Sequence, residues 1–325
     1  MDAVAWRRGR LSLVLLAVTA IVFAACTSSG GTSSSAPTAS EAPASEAPAS
    51  EAPASEAPAS EAPASPIPGG LLDKVLQAGT IKMSTDPQYP PQSELAPDSE
   101  YGYEGFDIDV GAEIAKRLGV KIAFETPSWD VLTAGSWGGR WDFSVGSMTI
   151  TKPRLEVLDF TDPYYYTPAQ MAVRSDSGIT TLDGLAGKTI CVAIATTYLD
   201  WINGALEFGI ETPQATPPEG AQATTLDTDR LCAEAWKAGR TDFDGWLSSA
   251  TTVQDAIDDG LPVMKVGDPV FYEPLAAAFD KSGPDPSDMV TRVNEILAEM
   301  REDGTLKAMS EKWFDGLDLT VEQGG

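Results

Sequence analysis

The rhythm of apolar and polar positions changes twice along the chain. Residues Leu11 to Ala25 form one continuous apolar run of 15. That is short of the roughly 20 residues a membrane-spanning helix needs. Residues 27–70 show no apolar period at all; the unit EAPAS repeats five times from Glu41 to Ser65. From Leu71 onward, strand-like and helix-like spacings alternate. Leu71 to Leu76 predicts a short helix ending near Gly79. Strands are expected over Thr80 to Thr85, Val120 to Phe124, Trp141 to Val145, Lys188 to Ile194 and Thr241 to Leu247. Helical spacing covers Val110 to Leu118, Leu231 to Ala238, Met289 to Met300 and Leu306 to Trp313, with a helix start over Trp129 to Gly135. Gly119 and Gly239 stand where helices stop. Strands separated by helices of this length predict parallel sheets covered by helices on both faces. The pattern runs twice, around 80–160 and 188–250. Two α/β lobes follow, with a ligand cleft at the carboxyl ends of their strands.

The ends of the apolar leader add meaning to it. Arg7, Arg8 and Arg10 precede it, and Phe23-Ala24-Ala25-Cys26 closes it. A short positive region, an apolar core and small residues at the end read as an export signal over 1–25. The closing residues resemble a bacterial lipobox, which implies that Cys26 carries the lipid of the mature protein. Residues 26–70 then form a disordered tether. They contain no Lys or Arg, and proline in every repeat biases them toward extended conformations. At about 3.1 Å per residue the tether spans on the order of 130 Å.

Composition removes whole classes of chemistry. The 325 residues include no histidine. Histidine-based nucleophile activation and histidine-ligated zinc are therefore excluded. The 3 cysteines include no CxxC pair, so a four-cysteine metal site cannot be built. No metal and no cofactor is expected. The net charge of −26 repels phosphate backbones and argues against nucleic acid. With three arginines and one aspartate in the leader and five glutamates in the tether, the body from Leu71 carries 19 basic and 42 acidic residues, a net −23. Asp107 and Asp109 begin like a metal loop, but the remaining ligands are missing. They read as caps or braces of the following helix. Asp242 and Asp244 read as a solvated strand end. Cys191 and Cys232 can pair in an oxidising compartment. One lies in a strand and the other opens a helix, so bonded and free thiols both stay open.

Six motifs recur in order: Thr85-Asp86-Pro87-Gln88-Tyr89-Pro90-Pro91, Gly105-Phe106-Asp107-Ile108-Asp109, Ser128-Trp129-Asp130, Gly146 to Arg154, Asp159 to Tyr165, and Glu311-Lys312-Trp313-Phe314. Together they resemble the family-3 solute-binding proteins of ABC importers, the polar amino-acid receptors, over residues 71–317. The resemblance implies a type II periplasmic-binding-protein clamshell of two α/β lobes joined by two crossover strands near 167–172 and 270–276. Lobe 1 is expected over 71–167 plus 273–325, and lobe 2 over 168–272. It implies a monomer that captures a small polar carboxylate solute and delivers it to a permease. The protein would be extracytoplasmic, anchored by lipid at Cys26 to the outer face of the cytoplasmic membrane.

The same resemblance assigns roles. Arg154 would grip the ligand carboxylate, as a planar guanidinium can. Ser147 and Thr149 would join that grip. Thr196 and Thr197 would add N–H donors from lobe 2. Tyr89 and Trp129 would wall the ligand. Three positions depart from the family pattern. Ala195 replaces a usual glycine and Gln92 a usual phenylalanine. Leu247 or Ser248 stands where an aspartate normally meets the ligand ammonium. Either Asp200 or Glu273 supplies that charge, or the ligand is not an ordinary α-amino acid. Two other functions share the fold. A cyclohexadienyl-dehydratase-like enzyme would use Glu273 as its acid, and an extracellular sensor would need no catalyst. The chemistry on the page favours a binding protein over an enzyme.

Overall fold

A computed structural model describes residues 65–210 and 212–322. The export signal, Cys26 and the EAPAS repeats up to residue 64 lie outside the described residues. The first part of the body runs α1 (Leu71–Ala78), β1 (Thr80–Ser84), β2 (Gln88–Tyr89), β3 (Ser93–Leu95), β4 (Tyr103–Glu104), α2 (Phe106–Leu118), β5 (Lys121–Glu125), α3 (Trp129–Thr133), β6 (Phe143–Thr149), α4 (Lys152–Val157) and β7 (Leu158–Phe160). The chain then follows β8 (Tyr165–Arg174), β9 (Thr189–Ala193), α5 (Thr197–Ile202), β10 (Gln222–Leu226), α6 (Arg230–Lys237), β11 (Gly245–Ser249), α7 (Ala250–Asp258) and β12 (Val263–Lys265). It returns through β13 (Phe271–Asp280), α8 (Ser287–Glu302) and α9 (Thr305–Trp313).

The main sheet has the order β10-β9-β11-β8-β13-β6-β1-β5. Pairing is parallel within β5-β1-β6 and within β10-β9-β11. The long strands β8 and β13 run antiparallel to each other and to the strands they flank. The parallel arrangement expected from sequence therefore holds on either side of an antiparallel seam. A separate small sheet, β2-β3-β4, covers one rim.

Buried side chains gather on both sides of that seam. One cluster packs α1, α2, α8 and α9 against β1 and β6, around Phe106, Phe143, Tyr164, Tyr165 and Phe279. Two others pack β9, β11, α5 and α6 around Trp201, Trp246 and Phe271. A phenylalanine buried this fully contributes about 1.5–3 kcal/mol. Among the described residues no helix is long and apolar enough to cross a membrane.

Three boundaries differ from the sequence reading with consequences for the cleft. The third strand begins at Phe143 and runs on through Thr149, past Gly146 and a shift of its register with β13 between Ser144 and Met148. The strand expected from Thr241 starts only at Gly245, since exposed Thr241 and Asp242 pair with nothing in the sheet. Helix α2 begins at Phe106, four residues earlier than its apolar spacing. Its first N–H groups are capped by backbone: Phe106 N–H donates to Pro91 O at 3.1 Å and Asp107 N–H to Gln92 O at 2.9 Å. This needs the 133° φ of Gly105, where a Cβ would lie 2.2 Å from the Gln92 oxygen. Asp107 is thus not a cap. It is free to turn inward, while Asp109 ties α2 to α9 by accepting from Lys312 Nζ and Trp313 Nε1, both at 2.7 Å.

Cys191 and Cys232 are bonded, with Cα atoms 5.9 Å apart, joining β9 to α6 inside a buried cluster.

Candidate functional site

A cavity of about 30 Å³ lies where strands of both sides end. Asp86 and Tyr89 reach it from beyond β1, Trp129 from α3, and Ser147, Thr149 and Arg154 from β6 and α4. From the other side come Thr196, Thr197 and Tyr198 after β9, and Asp227, Thr228 and Asp229 after β10. Glu273 of β13 closes the floor. The parallel strands β1, β6, β9 and β10 contribute at or just beyond their carboxyl ends, the usual position of ligands in open α/β sheets.

Arg154 is fixed by a short helix start. Thr151 caps α4 by accepting from the Arg154 N–H at 3.4 Å, and Pro153 presets the first turn. Arg154 is only 7% exposed. It donates to Thr149 O at 3.0 Å and to Ala195 O at 3.1 Å. Its Cζ lies 5.5 Å from the centroid of Trp129, whose Nε1–H also donates to Ala195 O, at 3.1 Å. Ala195 holds a left-handed φ of 59°, which costs a non-glycine residue about 1–2 kcal/mol. That conformation lets one carbonyl accept from both Arg154 and Trp129. Among the described residues Arg154 makes no ion pair. Burial pulls its pKa down, and the fields of Glu273 and Asp200 oppose that pull. A buried cation facing a cavity and hydrogen-bonded only to carbonyls has the chemistry to attract an anion.

The hydroxyls around it are already engaged. Glu273, 3% exposed, accepts from Thr149 Oγ1 at 2.6 Å, Thr197 Oγ1 at 2.5 Å and Tyr198 OH at 2.7 Å. Burial pushes its carboxyl up, and these three bonds hold it back. Ser147 has a left-handed φ of 54°. Its hydroxyl donates to Asp107 at 2.6 Å and meets Tyr165 OH at 2.6 Å, while its N–H donates to Tyr164 OH at 2.9 Å. Ser147 therefore lines the wall with both donors committed, because buried Asp107 is close enough to claim the hydroxyl. Thr196 caps α5, accepting from Leu199 N–H at 3.4 Å and donating to Ala193 O at 2.8 Å. As first residues of α5, Thr197 and Tyr198 have no intrahelical acceptor for their N–H groups. Ser248 is fully buried behind the wall, not on it. Asp200 is half-buried and off the cavity, so of the two acids considered from sequence only Glu273 lines it.

Asp229 was missed by sequence reasoning. It is 8% exposed and its Oδ1 has no hydrogen-bond partner. Although it precedes α6, its side chain makes no cap bond. Burial pushes its carboxyl up to about 8; Ser248 opposes this, while Asp86 and Glu273 add to it. The one available signal was Asp227-Thr228-Asp229 at a strand end, but β10 is half-exposed and has no apolar run to reveal it. Gln92 was noted only as a departure. Its amide bridges to the other side, donating to Thr251 Oγ1 at 2.7 Å and Ser249 Oγ at 3.2 Å, and accepting from Thr252 Oγ1 at 3.3 Å.

The model of the bacterial extracellular solute-binding proteins, family 3, matches residues 81–316. The L-cystine-binding protein TcyJ of Escherichia coli (strain K12) is 29% identical over 253 residues, covering 77% of this chain and 88% of that one. "Probable amino-acid-binding protein YxeM" of Bacillus subtilis (strain 168) is 30% identical over 254 residues, covering 77% and 88%. Among solved structures, the ancestral amino acid-binding protein AncCDT-1, a precursor of cyclohexadienyl dehydratase, superposes with a TM-score of 0.61 at 27% identity, covering 75% of this chain and 99% of that one. A mutant of ArgBP from T. maritima gives 0.63 at 25%, with the same coverage. The fold is the type II periplasmic-binding-protein clamshell, two α/β lobes joined by the crossover strands β8 and β13. The chain belongs to the bacterial extracellular solute-binding proteins of family 3.

Proposed function

We propose that this protein is a lipid-tethered receptor that closes on a small carboxylate-bearing solute, an amino acid or a close analogue, and hands it to the permease of an ABC importer. Lobe 1 spans 71–167 plus 273–325 and lobe 2 spans 168–272. Cys26 carries the anchor, and residues 27–70 let the body range over the outer face of the membrane. The observation that carries the reading is Arg154, buried in the cleft with only carbonyl partners. The relatives named for cystine and amino acids support the amino-acid class. Thr149 and Thr197 hold Glu273 in place beneath the ligand, and Thr196 orients α5. Trp129 stacks over the guanidinium and fixes its plane.

The test is ligand-dependent thermal stabilisation over a panel of amino acids, 2-oxo acids and betaines. A true ligand at about 100 times its Kd adds about 2.7 kcal/mol. Arg154→Ala is expected to abolish that gain for every carboxylate ligand. Retention of the gain would remove Arg154 from the site. A catalytic reading draws on one feature, the buried Glu273 in the cavity of a fold shared with a dehydratase precursor. Its three hydroxyl partners suit a structural anion better than a proton donor. Turnover of a cyclic dienyl acid, lost in Glu273→Gln, would reverse that preference.

A further inference from the structure

Two carboxyls from opposite lobes line the same cavity. Asp86 follows β1 in one lobe and Asp229 follows β10 in the other. Asp86 has one oxygen engaged, accepting from Gln88 N–H at 2.8 Å. Asp229 Oδ1 is buried without a well-formed hydrogen bond, and the Ser248 hydroxyl acts on the carboxyl. The groups that face Asp229 are Asp86, Tyr89 of β2, Tyr198 of α5, Ser248 of β11 and Glu273 of β13. None is a cation. Its neighbour Arg230 is turned away to Asp255 and Asp259. Closing the cleft therefore presses like charges together in a poorly solvated space. Such a pair is stable only with a proton or a cation between its members.

The position where sequence led us to expect an acid is otherwise occupied. Leu247 is apolar, Ser248 is buried behind the wall, and Ser249 at the end of β11 is held by Gln92 and Thr252. The Gln92 departure thus closes a neutral network with Ser249, Thr251 and Thr252 beside that position, leaving the loop between β10 and α6 to supply charge. We propose that Asp229, facing Asp86 across the cleft, receives a cationic nitrogen of the solute, so that the site takes a zwitterion gripped at its carboxylate by Arg154. The shared chemistry is an ammonium or guanidinium, either the α-amine or a basic side chain. This inference rests on the receptor reading above.

The test uses calorimetric titration of the twenty standard amino acids, followed for the tightest binder by its 2-oxo acid and, if its side chain is basic, by a neutral side-chain analogue. Wild-type protein is expected to prefer the amine-bearing ligand by about 100-fold, the scale of a charge-assisted bond made in a buried site. Loss of affinity on removing the α-amine assigns the α-nitrogen to Asp229; loss on neutralising the side chain assigns the side-chain nitrogen. Asp229→Asn should cost about 100-fold for the amine-bearing ligand and leave its deaminated analogue within threefold. Asp86→Asn should weaken the same ligand by a smaller factor. Because the carboxyl must lose its proton to receive a cation, wild-type affinity should rise from pH 6 to pH 8, and Asp229→Asn should be flat. Asp229→Ser serves if the asparagine variant fails to fold. Equal binding of the amine-bearing ligand by wild type and Asp229→Asn overturns the proposal. Retained binding in Arg154→Ala overturns the receptor reading instead, and a panel with no binder overturns both.

Discussion

Replacing Gln92 with leucine tests how the two lobes hold each other. The Gln92 side chain is fully buried, and its amide makes three hydrogen bonds to Ser249, Thr251 and Thr252 across the cleft. The bond at 2.7 Å is short and the other two, at 3.2 and 3.3 Å, lie at the long end of the useful range. A net of about 1 kcal/mol for the first and about half that for each of the others gives about 2 kcal/mol. The hydroxyls left behind still bond one another, Ser249 to Thr252 at 2.9 Å and to Thr251 at 3.0 Å, so little extra desolvation cost is added. These contacts exist only when the lobes are together. In an open form water satisfies the same groups, so the loss falls on the closed, ligand-holding state. Gln92→Leu is then expected to raise Kd about 30-fold, since 1.4 kcal/mol is tenfold. The change should appear in the dissociation rate, read by stopped-flow tryptophan fluorescence with Trp129 at the cleft. Melting of the ligand-free protein should move little, because α2 is capped by the Gln92 carbonyl, which leucine keeps. A Kd within threefold of wild type, or a change confined to the association rate, would refute the reasoning.

Three further outcomes are expected. Burial raises Asp107 to about 7 and Asp229 to about 8, so the folded protein holds protons that the unfolded chain releases above about pH 4. Stability should therefore fall between pH 4 and pH 8, by about 1.4 kcal/mol per pH unit for each such group, and level off above; urea unfolding at pH 5 and 8 checks this, and Asp107→Asn should shallow the slope. The Cys191–Cys232 bond closes a loop with a sequence separation of 41. Chain entropy for that loop gives about 4 kcal/mol, so the double alanine variant should unfold at distinctly lower denaturant, and an unchanged midpoint would contradict the entropic account. Gly105→Ala should be among the most damaging single-methyl additions, because its Cβ would overlap the Gln92 oxygen at 2.2 Å. It should cost more than 2 kcal/mol by thermal melting and should weaken ligand binding, since the displaced loop carries Tyr89 and Gln92.

The parallel strands that were legible are apolar runs, several of them preceded by glycine, as at Thr189–Ala193 after Gly187. The three strands of the small rim sheet are two or three residues long, too short for any period. Strand β10, with two exposed and three half-buried residues, reads as polar loop, and so the acid that follows it went unseen. Arg154 was found because its surroundings resemble a known receptor loop, not because its burial is visible in a sequence. What no sequence rule supplied was the direction of side chains. Ser147 turns through a left-handed backbone toward Asp107, and Asp229 turns from its helix into the cavity.

The acidic body and the buried cation of its site are reconciled by range. At physiological salt, fields between exposed charges fade beyond about 8 Å. The net −23 of the body therefore acts at its surface, while inside the cleft only the nearest groups count. There Arg154 faces the cavity from a bed of carbonyls, with Glu273 pinned beneath and Asp86 and Asp229 on the far side. A simple anion would satisfy Arg154 and leave the two aspartates repelling each other. A simple cation would quiet the aspartates and leave the buried guanidinium to the field of Glu273 and its carbonyl partners, with no anion bonded to it. On the proposed reading, a molecule with both charges satisfies both ends at once when the lobes that carry them have closed. Selectivity and closure are then one electrostatic event, and the neutral Gln92 network beside it adds grip without favouring either sign.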